Sequence, residues 1–254
     1  MIKNFLLIVN AQTLFVMISA CLSTFLCIKF EIKSDFPLTL VGTAIIFPIV
    51  FTISGAFKRR ENALAYYASL KAHGKGLYFA SRDWVPNSNE EIKEEVRENL
   101  YKLFSSLRKL FTSPLTEIHN NEMEVYSCFS ELSETVKKFR SLDLPSGEAS
   151  RCNQFLNKAL NAFENIKHIY QYRTPKTLRT YSAFFLHVLP VLYGPYFANL
   201  ASESHPYVAF FMPVLFSLIF VSLENIQEHL ENPFDLIGAD DVIINAEKFR
   251  DRLD

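Results

Sequence analysis

The sequence predicts an all-α membrane protein with four transmembrane helices in two hairpins and a cytoplasmic helical region between the second and third spans. Three observations predict this class: four long runs without Asp, Glu, Lys or Arg, helical periodicity between the second and third runs, and basic residues beside these two runs. The predicted division is a first hairpin at 1–57, a cytoplasmic region at 58–179, a second hairpin at 180–223 and a cytoplasmic C-terminal segment at 224–254.

The first run covers residues 5–28, which exceeds the roughly 20 residues that a helix needs to cross the hydrocarbon of a bilayer. A secretory signal is the competing interpretation, since Lys3 precedes the run and residues 18–21 are similar to a lipoprotein cleavage site. The run stays apolar beyond Cys21, where a secreted chain would turn polar. We therefore expect a span that is not cleaved.

The other three runs predict helices at 36–57, 180–202 and 206–223. Ser34 or Asp35 can cap the second span, and Pro37 suits its first turn, where a missing N–H leaves no bond unmade. Because the hydrocarbon holds no water, backbone groups there must bond within their own segment, so each run has to be a helix.

Two hairpins place both termini and residues 58–179 on the same side of the membrane. Basic residues flank the second and third spans on that side: Lys58, Arg59, Arg60, Arg173, Lys176 and Arg179. Such residues are retained in the cytoplasm. The sequence therefore predicts a multi-pass integral membrane protein with cytoplasmic termini.

Three apolar stripes at helical spacing occupy the region between the hairpins, and we interpret them as core-facing helix sides. They comprise Val96, Leu100, Leu103, Phe104, Leu107 and Phe111; then Val125, Phe129, Leu132, Val136 and Phe139; then Phe155, Leu156, Leu160, Phe163, Ile166 and Tyr170. A capping box at Ser88 and Glu91 predicts where the first of these helices begins. The second span is expected to continue as one helix to a stop at residues 73–76.

No set of residues predicts an enzyme, a cofactor or a metal site. The four cysteines lack CxxC spacing and histidine companions. Asp240 and Asp241 are weak candidates for Ca²⁺, because two adjacent acids lack the alternating ligand spacing of a calcium loop, and a turn or helix cap is the alternative. A net charge of −1, with basic and acidic residues interleaved, predicts no nucleic-acid partner.

His187 is an ionisable residue inside the third predicted span. It could serve as a ligand or a proton relay, since such residues in membranes are often functional. A neutral histidine that bonds to a neighbouring helix is favoured instead, because no Asp or Glu lies within any predicted span.

One face of the second span carries Thr43, Phe47 and Phe51, which are spaced by four residues, followed one turn later by Gly55. The alternative is a stripe that faces lipid or packs against another helix. Pro48 frees the carbonyl of residue 44, which then needs a neighbouring helix or water. This proline favours a helix that lines an interior.

Taken together, the order of the spans and three stretches resemble the bestrophin family of ion channels. These stretches are residues 42–61 of the second span, Tyr181–Pro190 at the start of the third, and Asn232-Pro233-Phe234 just past the fourth. The family motif at the last site usually continues with glycine, where this chain has Asp235. Animal members bind Ca²⁺ with a longer acidic run near that point, which is absent here.

The resemblance implies a homopentamer in the lipid bilayer that passively conducts monovalent ions, chloride first among them, without a cofactor. The second helices would line a hydrophobic neck made by Thr43, Phe47 and Phe51, with Pro48 and Gly55 supporting the pore helix. Thr43 departs from the bulky apolar residue usual at its position. A second constriction would fall within residues 147–172, and rings of phenylalanine would gate the neck by expelling water.

Two other functions fit the same sequence. The chain could be a membrane-anchored interaction or regulatory protein whose cytoplasmic helices bind a partner, or a membrane enzyme that uses His187. A ring of five copies favours the channel, whereas a monomer or dimer favours the anchored interaction protein.

Overall fold

The computed structural model describes residues 9–35, 38–173, 175–203, 206–236 and 241–253. Within these residues the regular secondary structure is helical, which confirms the predicted all-α class. In chain order the helices are α1 (Ala11–Lys29), α2 (Leu38–Asp83), α3 (Glu90–Thr112), a 3₁₀ turn (Leu115–Glu117), α4 (Ile118–Ser141), α5 (Ser146–Gln171), α6 (Lys176–Leu192), α7 (Gly194–Glu203), α8 (Pro206–Glu231) and α9 (Ala246–Arg250).

The helices pack as two units. The first unit contains the residues up to Lys58 together with Arg173–Glu231. The second unit contains Arg59–Tyr172 and the chain from Asn232 onward. Helix α2 contributes residues to both.

In the first unit, α1 packs against α6, α7 and α8. Its apolar centre consists of Ile45, Ile49, Leu186, Leu189, Tyr193, Phe197 and Phe220. Among the described residues three helical segments are long and apolar enough to cross a membrane: Ala11–Lys29, Lys176–Ala201 and Tyr207–Glu231. The predicted starts at residues 5–8 and 36–37 lie outside the described residues, as does most of the turn at 203–205.

The third apolar run differs from the single helix predicted, because Tyr193 forms a turn between α6 and α7. Pro195 has no N–H to donate to the carbonyl of Val191, four residues earlier. The Ser23 hydroxyl of α1 donates to this carbonyl at 2.8 Å. A β-carbon on Gly194 would collide with the side chain of Ser23, so the close approach requires glycine here.

The second unit has a continuous apolar core built by the predicted stripes. Every member of the stripes on α3 and α4 is buried, which confirms them as core-facing. On α5 the residues Phe163, Ile166 and Tyr170 are buried, and Leu156 and Leu160 are partly buried against the same core. Phe155 is partly buried. Asn99 donates to the Thr135 hydroxyl at 3.1 Å, so these two buried polar side chains of α3 and α4 satisfy each other.

The predicted helix stop at residues 73–76 is wrong, since α2 continues to Asp83. A β-carbon on Gly74 would lie 3.3 Å from side-chain atoms of Leu100 and Phe249, and one on Gly76 would lie 3.3 Å from Phe155. These glycines therefore permit tight packing against α2 instead of ending it.

The predicted cap of α3 is also wrong by one residue. Asn89 caps the helix and accepts a hydrogen bond from the Ile92 N–H at 2.9 Å. The Ser88 hydroxyl instead donates to the carbonyl of Ser81 at 2.7 Å.

Candidate functional site

The first half of α2 has two faces of opposite character. Ile45, Ile49, Thr52 and Ala56 recur at intervals of three and four residues and are buried. Thr43, Phe47 and Phe51 lie on the other side and are exposed, with 63% of Phe47 and 60% of Phe51 accessible. The predicted stripe is thus an apolar surface that the single chain leaves uncovered.

The two phenylalanines form a pair on that surface. Their ring centroids are 4.7 Å apart and the rings meet edge to face at 82°, an arrangement that aromatic pairs favour. Pro48 lies inside the helix between them. One turn beyond Phe51, a β-carbon on Gly55 would meet no atom within 4 Å, so the surface is also open at that level.

Buried hydrogen bonding holds α2 from the opposite side. The Thr52 hydroxyl donates to Oε1 of Gln227 on α8 at 2.9 Å. Both residues are about 98% buried. This contact fixes which face of α2 is turned inward and therefore keeps Phe47 and Phe51 on the outer side.

His187 is bonded to neighbouring helices on two sides. Nε2 of Gln12 lies 2.5 Å from Nε2 of His187 and can donate to it, while Nδ1 of His187 lies on the other side of the ring. That Nδ1 atom lies 2.6 Å from the carbonyl oxygen of Ala183 and 3.4 Å from Oε2 of Glu224. The prediction that no acid accompanies His187 is wrong, because α8 continues past Leu223 and carries Glu224 on the same helix.

Further polar pairs join the same helices. Asn10, which caps α1, donates to Oδ1 of Asn225 at 3.0 Å. Arg179 lies 3.3 Å from Glu231, a carboxylate that is almost fully buried. Such pairs satisfy polar groups that would be costly inside an apolar unit.

The Asn232-Pro233-Phe234 motif belongs to the core of the second unit. Phe234 is 1% exposed and stacks on Phe111 with ring centroids 4.8 Å apart. The carbonyl of Pro233 accepts a hydrogen bond from the N–H of Val242 at 2.7 Å. Phe234 therefore anchors the C-terminal segment to the stripe of α3.

Asp240 lies outside the described residues, so its candidacy for Ca²⁺ stays a prediction, together with that of Asp241. Among the described residues no group of three or more His, Cys, Asp or Glu side chains is arranged to hold a metal ion.

Comparison with known proteins gives a match in structure alone. No family model matches the chain, and no curated protein matches it. A crystal structure of a bacterial bestrophin homologue from Klebsiella pneumoniae, carrying one substitution, superposes with a TM-score of 0.81 at 16% identity and covers 96% of this chain and 98% of that one. The chain has the bestrophin fold.

Two further structures agree with this result. A bestrophin homologue from the same organism gives a TM-score of 0.73 at 16% identity, over 94% of this chain and 96% of that one. A structure described as a membrane protein gives 0.78 at 16% identity, over 96% and 98%. The bestrophin fold and three apolar helices together support an integral membrane protein.

The bestrophin fold brings together residues that the sequence left apart. Gln12, His187 and Glu224 meet in the first unit although 175 residues separate the first two. In the sequence, this cluster of residues is indicated only by Glu224, which lies one residue past the fourth apolar run. A helix in the hydrocarbon can extend beyond its uncharged stretch when its polar end is buried against protein.

Proposed function

We propose that the chain is one subunit of a bestrophin-like homopentameric ion channel that passively conducts monovalent anions, chloride in particular. The observation that carries the proposal is the bestrophin fold, which extends over 96% of the chain and so includes both units. The chain is proposed to act in the lipid bilayer without enzymatic activity and without a cofactor.

The proposed neck consists of Thr43, Phe47 and Phe51, with Pro48 and Gly55 supporting the pore helix. Its support is the exposure of this face in a chain whose α2 is held inward by Ile45, Ile49 and Thr52. Exposed apolar patches of this kind are covered by lipid or by other copies of a chain. Five copies with this face at a common axis would cover it.

Such a neck would gate by dewetting. Rings of phenylalanine around a narrow pore expel water and block ions until the helices part. When the neck is open, the positive edges of the rings can face an anion and replace part of its hydration. This property makes chloride the first expectation.

The proposed topology follows the bestrophin-like arrangement. Four spans at 5–28, 36–57, 180–202 and 206–223 would cross the membrane, with both termini and 58–179 in the cytoplasm. Lys58, Arg60 and Lys176 lie at the cytoplasmic ends of these spans, as the distribution of basic residues in membrane proteins favours.

The decisive experiment measures chloride flux from liposomes that contain the purified protein. Phe47→Ala and Phe51→Ala should leak more than the parent, because smaller side chains widen the neck and let water remain in it. Phe15→Ala is the matched control, since Phe15 on α1 is 69% exposed and should leave flux unchanged.

Equal flux in all four proteins would contradict the neck. The mass of the purified complex tests the pentamer, and a monomer or dimer without flux would instead favour the membrane-anchored interaction protein. A reversal potential that follows the sodium gradient would show that the protein conducts cations instead of anions.

A further inference from the structure

A cavity of about 620 Å³ lies in the second unit, between the end of α2 that contains Tyr67 and the C-terminal residues around α9. Its volume is within the range of small-molecule sites. The residues that line it are Tyr67, Ala68, Lys71, Ala72, Lys75, Ile243, Asn245, Lys248, Phe249 and Arg252. Four of them are basic and none is acidic.

The four basic side chains have no counter-charge from the residues that the structure describes. Among the described residues none of Lys71, Lys75, Lys248 and Arg252 forms an ion pair. Two neighbouring acids are engaged elsewhere, since Glu247 pairs with Arg108 at 3.0 Å and Asp251 lies 4.0 Å from Arg250. Other cations of this unit, such as Lys109 and Lys138, do pair with glutamates.

The cations repel one another across the cavity. Partial burial lowers the pKa of Lys71, and the positive charges of Arg252, Lys75 and Lys248 lower it further. Unpaired like charges destabilise a fold, and a bound anion removes that penalty.

The cavity also has an aromatic side. The ring of Tyr67 lies 4.4 Å beneath the Lys71 ammonium, and its hydroxyl accepts a hydrogen bond from the Asn245 N–H at 3.4 Å. Phe249 packs on Phe104 with ring centroids 4.0 Å apart. An apolar wall beside a group of cations suits a ligand that has an anionic end and an uncharged end.

We propose that this cavity binds a phosphate-bearing ligand with at least two negative charges, whether a soluble phosphate compound or the headgroup of an anionic lipid. The Lys and Arg side chains donate to the phosphate oxygens, which accept such bonds strongly. Tyr67 and Phe249 contact the uncharged part. This site goes beyond ion conduction and stands independently of the proposed channel.

The test is calorimetric titration of the full-length protein in detergent with inorganic pyrophosphate and, separately, with short-chain phosphatidic acid. Saturable binding that weakens at high salt is expected for at least one of them. Binding of pyrophosphate identifies a soluble phosphate compound, and binding of phosphatidic acid alone identifies a lipid headgroup. Absence of both overturns the proposal.

Variants locate the binding. Lys71→Met and Arg252→Met should each weaken it about tenfold, the effect of losing one charge-assisted hydrogen bond. Lys137→Met removes the same charge from an exposed ion pair with Glu134 and should leave binding unchanged. Equal affinity in all of these proteins overturns the assignment to this cavity.

Folding of the variants is checked by the fluorescence of Trp84, the single tryptophan, which lies in the second unit. Neither Lys71 nor Arg252 has an ion pair with any described residue, so both variants should unfold at the temperature of the parent or above it. Lys248→Met, at an exposed position, provides a third variant with the same expected loss of affinity.

Discussion

The two units of the molecule distribute polar and apolar side chains in opposite ways. The first unit exposes large apolar residues such as Phe15, Ile18 and Phe211, and it buries Glu224, Gln227 and Glu231. In the second unit the large apolar residues are mostly buried, including Phe104, Phe139 and Phe163, and charged residues such as Lys109 and Lys138 pair at the surface.

This difference indicates two different solvents. A protein surface in water rarely exposes large contiguous apolar patches, whereas a surface in hydrocarbon has to be apolar. Polar groups then gather inside the first unit because only the protein can bond them there. The contrast is visible within one chain and needs no reference to other proteins.

The largest expected effect is a loss of stability caused by a substitution in the core of the second unit. Phe163→Ala removes a ring that is fully buried against Tyr126 and Phe129, and it should lower the free energy of unfolding by about 3–5 kcal/mol. Phe15→Ala, at a 69% exposed position of the first unit, should change it by less than about 0.5 kcal/mol.

Thermal unfolding in detergent, followed by circular dichroism and by Trp84 fluorescence, measures both variants. Similar losses for Phe163→Ala and Phe15→Ala would mean that the exposed surface of the first unit is covered by protein contacts instead of lipid.

A smaller effect is expected inside the first unit. His187→Phe leaves the Gln12 amide without its hydrogen-bond partner and removes the imidazole beside Glu224, which should reduce stability by about 1–3 kcal/mol. His119→Phe on α4 is the control, because His119 is exposed and its replacement should have little effect. A neutral result for His187→Phe would indicate that water reaches this cluster.

The smallest expected effect is on the stability of the fold at acidic pH. Burial raises the pKa of Glu164, but hydrogen bonds from Lys167 and Tyr126 outweigh it and hold the pKa below 4.5. The pKa of Glu164 is lower in the folded protein than in the unfolded chain, so the ionised carboxylate stabilises the fold. This stabilisation is present above pH 4.5 and is lost as the pH falls through the pKa of the folded protein.

Glu164 is partly exposed, so its contribution should stay below about 1 kcal/mol. Glu164→Gln should flatten the acid limb of the stability profile, measured by Trp84 fluorescence between pH 3 and 6, a window placed roughly around the usual carboxyl range. Glu134→Gln, in an exposed pair with Lys137, should leave the limb unchanged. An acid limb that persists in Glu164→Gln would assign the sensitivity to other carboxylates.

Apolar periodicity predicted the helices of the second unit because water penalises every misplaced apolar residue there. Val96 to Phe111 and Val125 to Phe139 are core-facing for this reason. In the first unit, periodicity carries less information, since both lipid and protein interior are apolar. The exposed face of Thr43, Phe47 and Phe51 matches the predicted stripe, while its role as a neck stays a prediction.

What the sequence did not predict depends on contacts between distant residues. Gly74 and Gly76 resemble a helix stop, and only the packing of Leu100, Phe249 and Phe155 explains why α2 continues. The cations of the cavity in the second unit likewise come from positions near 70 and near 250, which no local pattern connects.

The packing of α1 against the turn that follows α6 depends on Gly194. Its missing β-carbon lets the Ser23 hydroxyl reach the carbonyl of Val191, so α1 lies close to the turn that follows α6. Alanine at this position would push the part of α1 that carries Ser23 away from the turn. The separation between α1 and the turn after α6 is therefore set by the smallest residue in the chain.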